Sequence, residues 1–416
     1  MKNKSIVIIG GGIIGLCSAY YLQKEGCKVT VIDKSSITDG ASFVNAGYIA
    51  PSHIIPLAAP GMITTGLKMM FNSTSPFYVK PRLDSEFLKW ALAFKRSSTK
   101  ANVEKAIPVI KDINVLSKEL FTDFYNDTAF NFQLENKGLL MFYQTDKVGE
   151  KESKVAKRAI EEGLEVSFLS LAEVKELEPN LDLNIKGAIH YKCDAHTTPN
   201  VFMKQLYGYL KNNGVTFYTN EKVIDLEVLS HKVSIIKTDK RDVIADEVVI
   251  AAGSWSPLLT KKIGMQLLVQ AGKGYAINVK RKIGITMPAI LMEAKVAVTP
   301  MNGFTRFSGT MEIAGINHKI HPKRVKVIAN AAQNYYNGLR IQEPEIATAV
   351  CGLRPVSPDG LPYIGRLSKL KNITIATGHA MMGWSLGPAT GKLVSEIVTE
   401  QKTSMNINAF SPKRQF

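Results

Sequence analysis

Cysteine is scarce in this chain. The four residues Cys17, Cys27, Cys193 and Cys351 stand without paired spacing in 416 residues, which excludes a disulfide framework and points to a reducing compartment. No run of about eighteen or more apolar residues occurs, so no segment reads as a membrane-spanning helix. The apolar N-terminal stretch is interrupted by Gly10, Gly11 and Gly12 and lacks a small-residue cleavage pattern, which argues against a secretory signal and for a cytoplasmic protein. Histidine is thin as well. The seven histidines make no zinc signature: His318 and His321 lie among basic residues, and Cys193-Asp194-Ala195-His196 is a single half-motif, so no metal is expected. Internal repeats and low-complexity tracts are absent too, which removes solenoids and disordered scaffolds from consideration.

Acidic residues are outnumbered 36 to 52 by lysine and arginine, for a formal charge of +16. The basic residues are spread along the chain rather than gathered into a stripe with interleaved aromatics, so nucleic acid is not an expected partner. A peripheral contact with an anionic membrane surface, on the inner face of the cell membrane, fits the charge better. The segment from Ile54 to Tyr78 is apolar and rich in methionine and proline, and Lys80, Arg82 and Lys89 follow it. Two readings of it stay open: a loop dipping into headgroups, or a loop covering the core of a second domain.

What the chain does have is concentrated at its start. An apolar strand, Ile6-Val7-Ile8-Ile9, runs into Gly10-Gly11-Gly12-Ile13-Ile14-Gly15, and a second strand through Val29 and Val31 ends at Asp33. That order is a dinucleotide-binding βαβ unit. Gly10 permits the tight turn, Gly12 lets backbone amides approach a pyrophosphate, and Gly15 allows the helix to pack close on the strand. The helix N-terminus adds positive dipole for the phosphates, and Asp33 can accept hydrogen bonds from ribose hydroxyls. Ala19 and Leu22 on the inner helix face and Gly26 at the helix end keep the whole unit in register.

Beyond it, residues 84–127 read as helical, with Ile113, Leu116, Leu120 and Phe124 on one face. A strand is expected over 138–143, then a helix from about Lys151 to Glu162 closed by Gly163. Ser170-Leu171-Ala172-Glu173 is a capping box, and Thr198-Pro199 opens a helix that stops at Gly214. Several strands fill 215–251, the last ending at Ala251-Ala252-Gly253-Ser254-Trp255. Short strands over 266–331 suggest an antiparallel sheet roofing a site. Glycine-rich sequence then returns at Gly352-Leu353-Arg354-Pro355 with Asp359-Gly360, and at Gly378-His379 before a helix near Trp384.

These four motifs together resemble the D-amino-acid oxidase family of FAD-dependent amine oxidoreductases, over nearly the whole chain. Ala41-Ser42-Phe43-Val44-Asn45-Ala46-Gly47, Ala58-Ala59-Pro60-Gly61, Lys273-Gly274-Tyr275 and Gly383-Trp384 look most like the bacterial D-amino-acid dehydrogenases. Asp33 departs from the glutamate usual in the family, though a shorter carboxylate can serve the same ribose. The resemblance implies an α/β fold: a Rossmann-like FAD-binding domain of the glutathione-reductase type, made of residues 1–50, 146–260 and 346–416, and an α+β substrate domain with an antiparallel sheet, made of 51–145 and 261–345. It implies FAD where the spacing alone showed a dinucleotide. Around FAD it places Gly10, Gly12, Ile13, Ile14, Gly15, Asp33, Lys34, Ser42, Asn45, Ala46, Gly47, Val223, Ala252, Gly253, Trp255, Gly378, His379, Gly383 and Trp384. Neither histidine nor cysteine stands between Ser42 and Gly47, so the flavin is expected to be non-covalent.

The implied reaction is oxidative deamination of a D-amino acid, D-proline and hydroxy-D-proline included, by hydride transfer from Cα to flavin N5. Such a substrate must be held by its carboxylate at a fixed distance, and arginine suits that task because its planar fork makes two parallel hydrogen bonds. Arg354 matches the family's carboxylate-binding arginine. Tyr275 stands where relatives place a substrate-contacting tyrosine, with a buried core tyrosine as the competing reading. His379 would lie beside the ring without needing to act as a base, and His53 is a further pocket candidate. Sarcosine oxidases use a lysine near the flavin to activate oxygen, and the corresponding strand here reads Gly309-Thr310-Met311-Glu312. Its lack of lysine favours a quinone or other electron carrier as acceptor. A glycine or sarcosine type oxidase, a non-catalytic FAD-holding subunit and an NAD-dependent dehydrogenase are the alternatives.

Overall fold

The computed structural model describes residues 3–61, 75–80, 82 and 84–416. Most of the apolar loop expected over 54–78 lies outside these residues. At the centre of the cofactor half is the strand Ser5–Ile9, paired in parallel with Lys28–Ile32 on one side and Glu247–Ile250 on the other. Thr216–Tyr218 and Ile373–Thr377 extend this sheet in parallel, and Tyr363–Arg366 closes it antiparallel, six strands in all. Its central strands Ser5–Ile9, Glu247–Ile250 and Ile373–Thr377 are buried almost throughout because both faces are covered. The helix Ile13–Lys24 is buried on nearly every side, packed between the sheet and the helices Gly387–Val398 and Pro199–Asn212. The C-terminus therefore returns to the first βαβ unit, as the glycine-rich return predicts. A rib of Val223–Leu229, Lys232–Thr238 and Asp242–Val243 stands beside it.

Among the described residues the second sheet has nine strands. Val350–Val356, Gln270–Val279, Phe304–Ile313, Val296–Met301, Ala289–Leu291, Leu139–Tyr143, Gly187–Tyr191 and Val166–Ser170 follow one another across it, and Phe77–Val79 joins at Phe304–Ile313. It is mixed rather than purely antiparallel, since Ala289–Leu291 runs parallel to Leu139–Tyr143 and Phe77–Val79 parallel to Phe304–Ile313. The boundary expected at 146 falls inside this sheet: Leu139–Tyr143 pairs with Gly187–Tyr191, which pairs with Val166–Ser170. Alternating strand and helix in 138–191 has the sequence pattern of a βαβ extension, and only the pairing partners distinguish the two cases.

Local signals elsewhere hold to within a few residues. The helical stretch over 84–127 is two helices, Ser85–Ser97 and Lys100–Asn126, because Asp84 and Thr99 each cap an N-terminus with a side-chain oxygen. The charged helix spans Asp146–Glu161, and Ser170 and Glu173 form the expected capping box. The sheet expected over 266–331 ends earlier, because Pro322 sits in the first turn of the helix Pro322–Tyr335. Tyr20, Phe124, Phe130, Phe202 and Trp384 form an aromatic cluster that fastens Lys100–Asn126 to the cofactor half.

Candidate active site

A cavity of about 1100 Å³ runs from Gly10 and Asp33, past Asn45, Trp255 and His379, to Arg354. It exceeds the ~300–1,000 Å³ usual for a small-molecule pocket, so it has room for a long cofactor and a substrate together. Its cofactor end is built by the first βα turn. Gly10 has φ +114°, and a Cβ there would stand 2.5 Å from the Ala251 carbonyl oxygen. Gly12 is the N-cap of Ile13–Lys24. A Cβ on Gly12 would meet only the Ser42 hydroxyl, at 3.3 Å, so this face of the turn is open to a ligand. The first helical turn holds no acidic residue, which leaves its dipole free for an anion. Asp33 is oriented rather than loose: one oxygen accepts from the Gly11 amide at 2.6 Å and the other from the Ser35 amide and hydroxyl at 2.8 Å. A helix N-terminus with no acidic side chain in its first turn, and a fixed carboxylate for a ribose, fit an adenine dinucleotide.

Most of the expected residues line this cavity: Gly10, Gly12, Ile13, Ile14, Asp33, Lys34, Ser42, Asn45, Ala46, Val223, Ala252, Gly253, Trp255, His379, Gly383, Trp384, His53, Tyr275 and Arg354. Gly15, Gly47 and Gly378 stand behind its wall. Each leaves room for a neighbour: Gly15 for the Gly10 carbonyl, Gly47 for the Thr197 carbonyl and Gly378 for the Tyr363 ring. Ser42 takes the Ile13 amide at 3.1 Å, and Asn45 closes a turn by accepting from the Gly47 amide. Trp384 donates its indole N–H to Thr197 at 3.0 Å.

At the far end Arg354 projects from Val350–Val356 with part of its surface open to the cavity. Its Nη1 donates to the Thr310 carbonyl at 2.7 Å. Burial alone pulls its guanidinium down to about 10, and no neighbouring charge enters the balance. Among the described residues it has no carboxylate partner, which leaves most of its five donors unspent.

His379 is buried, with Nε2 3.0 Å from the Thr390 hydroxyl. Burial pushes it down to about 3, so the ring is neutral throughout the physiological range. Burial and then the charge of Lys295 lower His53 as well. Tyr275 reaches the cavity, but its side chain belongs to the core beneath the helix Pro322–Tyr335 and its hydroxyl donates to Glu312 at 2.8 Å. Glu312 is itself held by Lys273 at 3.2 Å and Arg324 at 3.4 Å. Thus the hydroxyl is already spent on an anchored carboxylate, which is the core reading of this tyrosine. The strand alternation puts Tyr275 and Gly274 on opposite faces, and sequence alone does not say which one faces the site.

Sequence reasoning passed over Arg306, His318 and Asp194 as site residues. Arg306 is buried, donates from Nη1 to the Asn45 carbonyl at 2.6 Å and from Nε to Asn278 at 2.8 Å, and so pins the cofactor-side loop to the second sheet. His318 stacks on the expected cofactor residue Trp255, whose ring also carries the expected Lys34 at 3.3 Å. Asp194 accepts from the Ser52 amide at 2.9 Å and hydroxyl at 2.6 Å, holding the wall that carries His53. Neither spacing nor composition signals these residues, because each acts across a tertiary contact.

Burial raises the Asp194 carboxyl from 3.8 to about 6. The native state therefore binds this proton more tightly than the unfolded chain does, and the contribution of this group to stability falls as pH rises between those two values. Thermal unfolding of native protein and Asp194→Asn across about pH 4–7 checks this: the native Tm should decline relative to that of the variant as the pH rises.

The family model described as FAD dependent oxidoreductase matches residues 5–397. The chain belongs to that family: it is an FAD-dependent oxidoreductase. It is 31% identical over 406 residues to D-amino acid dehydrogenase of Helicobacter pylori, covering 97% of each chain. It is 30% identical over 420 residues to D-amino acid dehydrogenase of Neisseria meningitidis serogroup C, covering 98% of this chain and 99% of the relative. Among solved structures, glycine oxidase from Geobacillus kaustophilus superposes with a TM-score of 0.76 at 21% identity over 100% of both chains. L-proline dehydrogenase from P. horikoshii gives 0.75 at 20% identity over 99% of this chain and 97% of that one. At such identities the structures establish the shared fold. No described helix is long and apolar enough to cross a membrane.

Proposed function

We propose that this enzyme oxidises a D-amino acid, cyclic imino acids such as D-proline included, and passes the electrons to a quinone or another carrier. The observation that carries the reading is Arg354, a guanidinium without a carboxylate partner among the described residues, in a cavity continuous with the dinucleotide cradle. A largely desolvated cation left without a counter-charge is costly unless a ligand supplies one. The carboxylate of an amino acid does so in the geometry an arginine fork prefers. The dehydrogenase relatives, at about 30% identity over nearly full length, support the same class.

Bound FAD supplies the two-electron acceptor. The protein's part is to hold and to exclude. The amides at the start of Ile13–Lys24 take the pyrophosphate, and Asp33 takes the ribose. Arg354 fixes the substrate carboxylate. His379 is neutral and tied to Thr390, so it shapes the wall; the substrate amine loses its proton to solvent. The formal charge of +16 suits an approach to the anionic membrane surface where a quinone resides.

The glycine oxidase fold fits a second reading, an amine oxidase using oxygen. A substrate panel separates the two. Under anaerobic conditions a D-amino or D-imino acid should bleach the flavin while its L enantiomer does not, and turnover in air should yield little peroxide until a quinone analogue or dye is added. Rapid peroxide formation without an added acceptor moves the assignment to an oxidase. Bleaching by L-amino acids alone overturns the substrate class.

A further inference from the structure

The Arg354 guanidinium rests on a residue with no side chain. An ideal Cβ built on Gly274 would stand 2.2, 2.3 and 2.4 Å from Nη1, Nη2 and Cζ of Arg354, distances at which no two such atoms coexist. Gly274 is buried in the strand Gln270–Val279, directly beside Val350–Val356. On its other side the pairing with Phe304–Ile313 shifts register between Lys273 and Tyr275. That irregularity is occupied by Thr310, whose φ of +65° is rare for a β-branched residue. The Thr310 carbonyl is the acceptor for Nη1 of Arg354. Backbone thus holds the guanidinium on two sides, the flat Cα of Gly274 beneath it and the Thr310 carbonyl at its edge.

We infer that Gly274 is a positioning residue: the missing side chain lets the Arg354 fork lie in the plane from which it meets a substrate carboxylate. This rests on the reading of Arg354 as the carboxylate anchor. Its physical content is steric. A methyl group at 274 finds little relief in the sheet, because Gly274 is paired with Gly352 and its neighbours Lys273 and Tyr275 with Phe304–Ile313, but the far end of an arginine can swing away. The cost then falls on ligand geometry rather than on the fold.

The test uses FAD-loaded enzyme and four proteins: native, Gly274→Ala, Arg354→Lys and the double variant, with Arg354→Ala as control. Benzoate serves as a simple carboxylate probe, titrated against the flavin absorption spectrum, alongside Tm, FAD content, KM and kcat for the best D-amino acid. Gly274→Ala should weaken benzoate at least tenfold and raise KM more than it lowers kcat, with FAD content and Tm close to native. Because a lysine has no fork to clash, adding Gly274→Ala to Arg354→Lys should change the benzoate Kd less than threefold. If Arg354→Ala weakens benzoate but Gly274→Ala leaves it within twofold of native, the inference falls and the anchor stands. If Arg354→Ala leaves benzoate binding intact, the anchor reading itself falls. Should Gly274→Ala fail to hold FAD, the double variant decides: recovery of FAD points to the guanidinium clash, and continued loss means that the space at 274 serves the fold.

Discussion

Arg354→Ala should lower kcat/KM for a D-amino acid by roughly thirtyfold to several thousandfold, with FAD still bound. Truncating one member of a desolvated, hydrogen-bonded charge pair costs about 2–5 kcal/mol, whereas a surface ion pair is worth ~0–1 kcal/mol, and each 1.36 kcal/mol is tenfold in rate. The magnitude therefore separates an anchor from a structural arginine. Anaerobic stopped-flow reduction of the flavin measures it directly, because that step depends on substrate placement and not on the acceptor. The same residue should behave in the opposite sense for stability. The guanidinium is pulled down to about 10 by burial and has no charged partner among the described residues, so the ligand-free protein carries a desolvation cost that only a bound anion relieves. Arg354→Met, which keeps much of the volume, should leave Tm of the substrate-free enzyme equal to or above native while activity collapses. Near-native kinetics in Arg354→Ala would show that the carboxylate is held elsewhere.

The second large effect belongs to the first turn. A Cβ on Gly15 would stand 1.8 Å from the Gly10 carbonyl oxygen and 3.0 Å from its carbon. Both are backbone atoms of the strand-to-helix turn, so no side chain can move aside. Gly15→Ala must push the helix Ile13–Lys24 away from Ser5–Ile9 at the point where the pyrophosphate amides are set. It should destabilise the protein by ~3 kcal/mol, the upper end of the overpacking range, and abolish FAD retention. Gly12→Ala is the informative contrast. Its methyl group would enter the cavity near the Ser42 hydroxyl, so the apoprotein should melt near the native temperature while FAD is lost. Thermal unfolding of apoprotein, with flavin recovered in the supernatant after acid precipitation, distinguishes the outcomes. Equal loss of stability in the two variants would contradict the separate roles given to these glycines.

The sequence by itself determined the parts whose causes are local. The turn Gly10 to Gly15, the carboxylate at Asp33, the caps at Ser170 and the helix start at Pro199 are all set within a few residues by backbone freedom, hydrogen-bonding side chains and apolar period. The resemblance carried by Gly352-Leu353-Arg354-Pro355 singled out the arginine in the same way. Only the tertiary structure decided what depends on a distant partner. Pairing of Gly187–Tyr191 with Leu139–Tyr143 carries 166–191 into the second sheet, and strand pairing is a choice among remote segments of similar propensity. The side of the sheet that faces the cavity decided between Tyr275, whose hydroxyl is spent on Glu312, and Gly274, which leaves room for Arg354. A period of two marks two faces without naming the one that meets the ligand. That Arg354 has no carboxylate partner among the described residues is legible only in three dimensions, because it is a property of everything that packs around a residue and of nothing beside it in the chain.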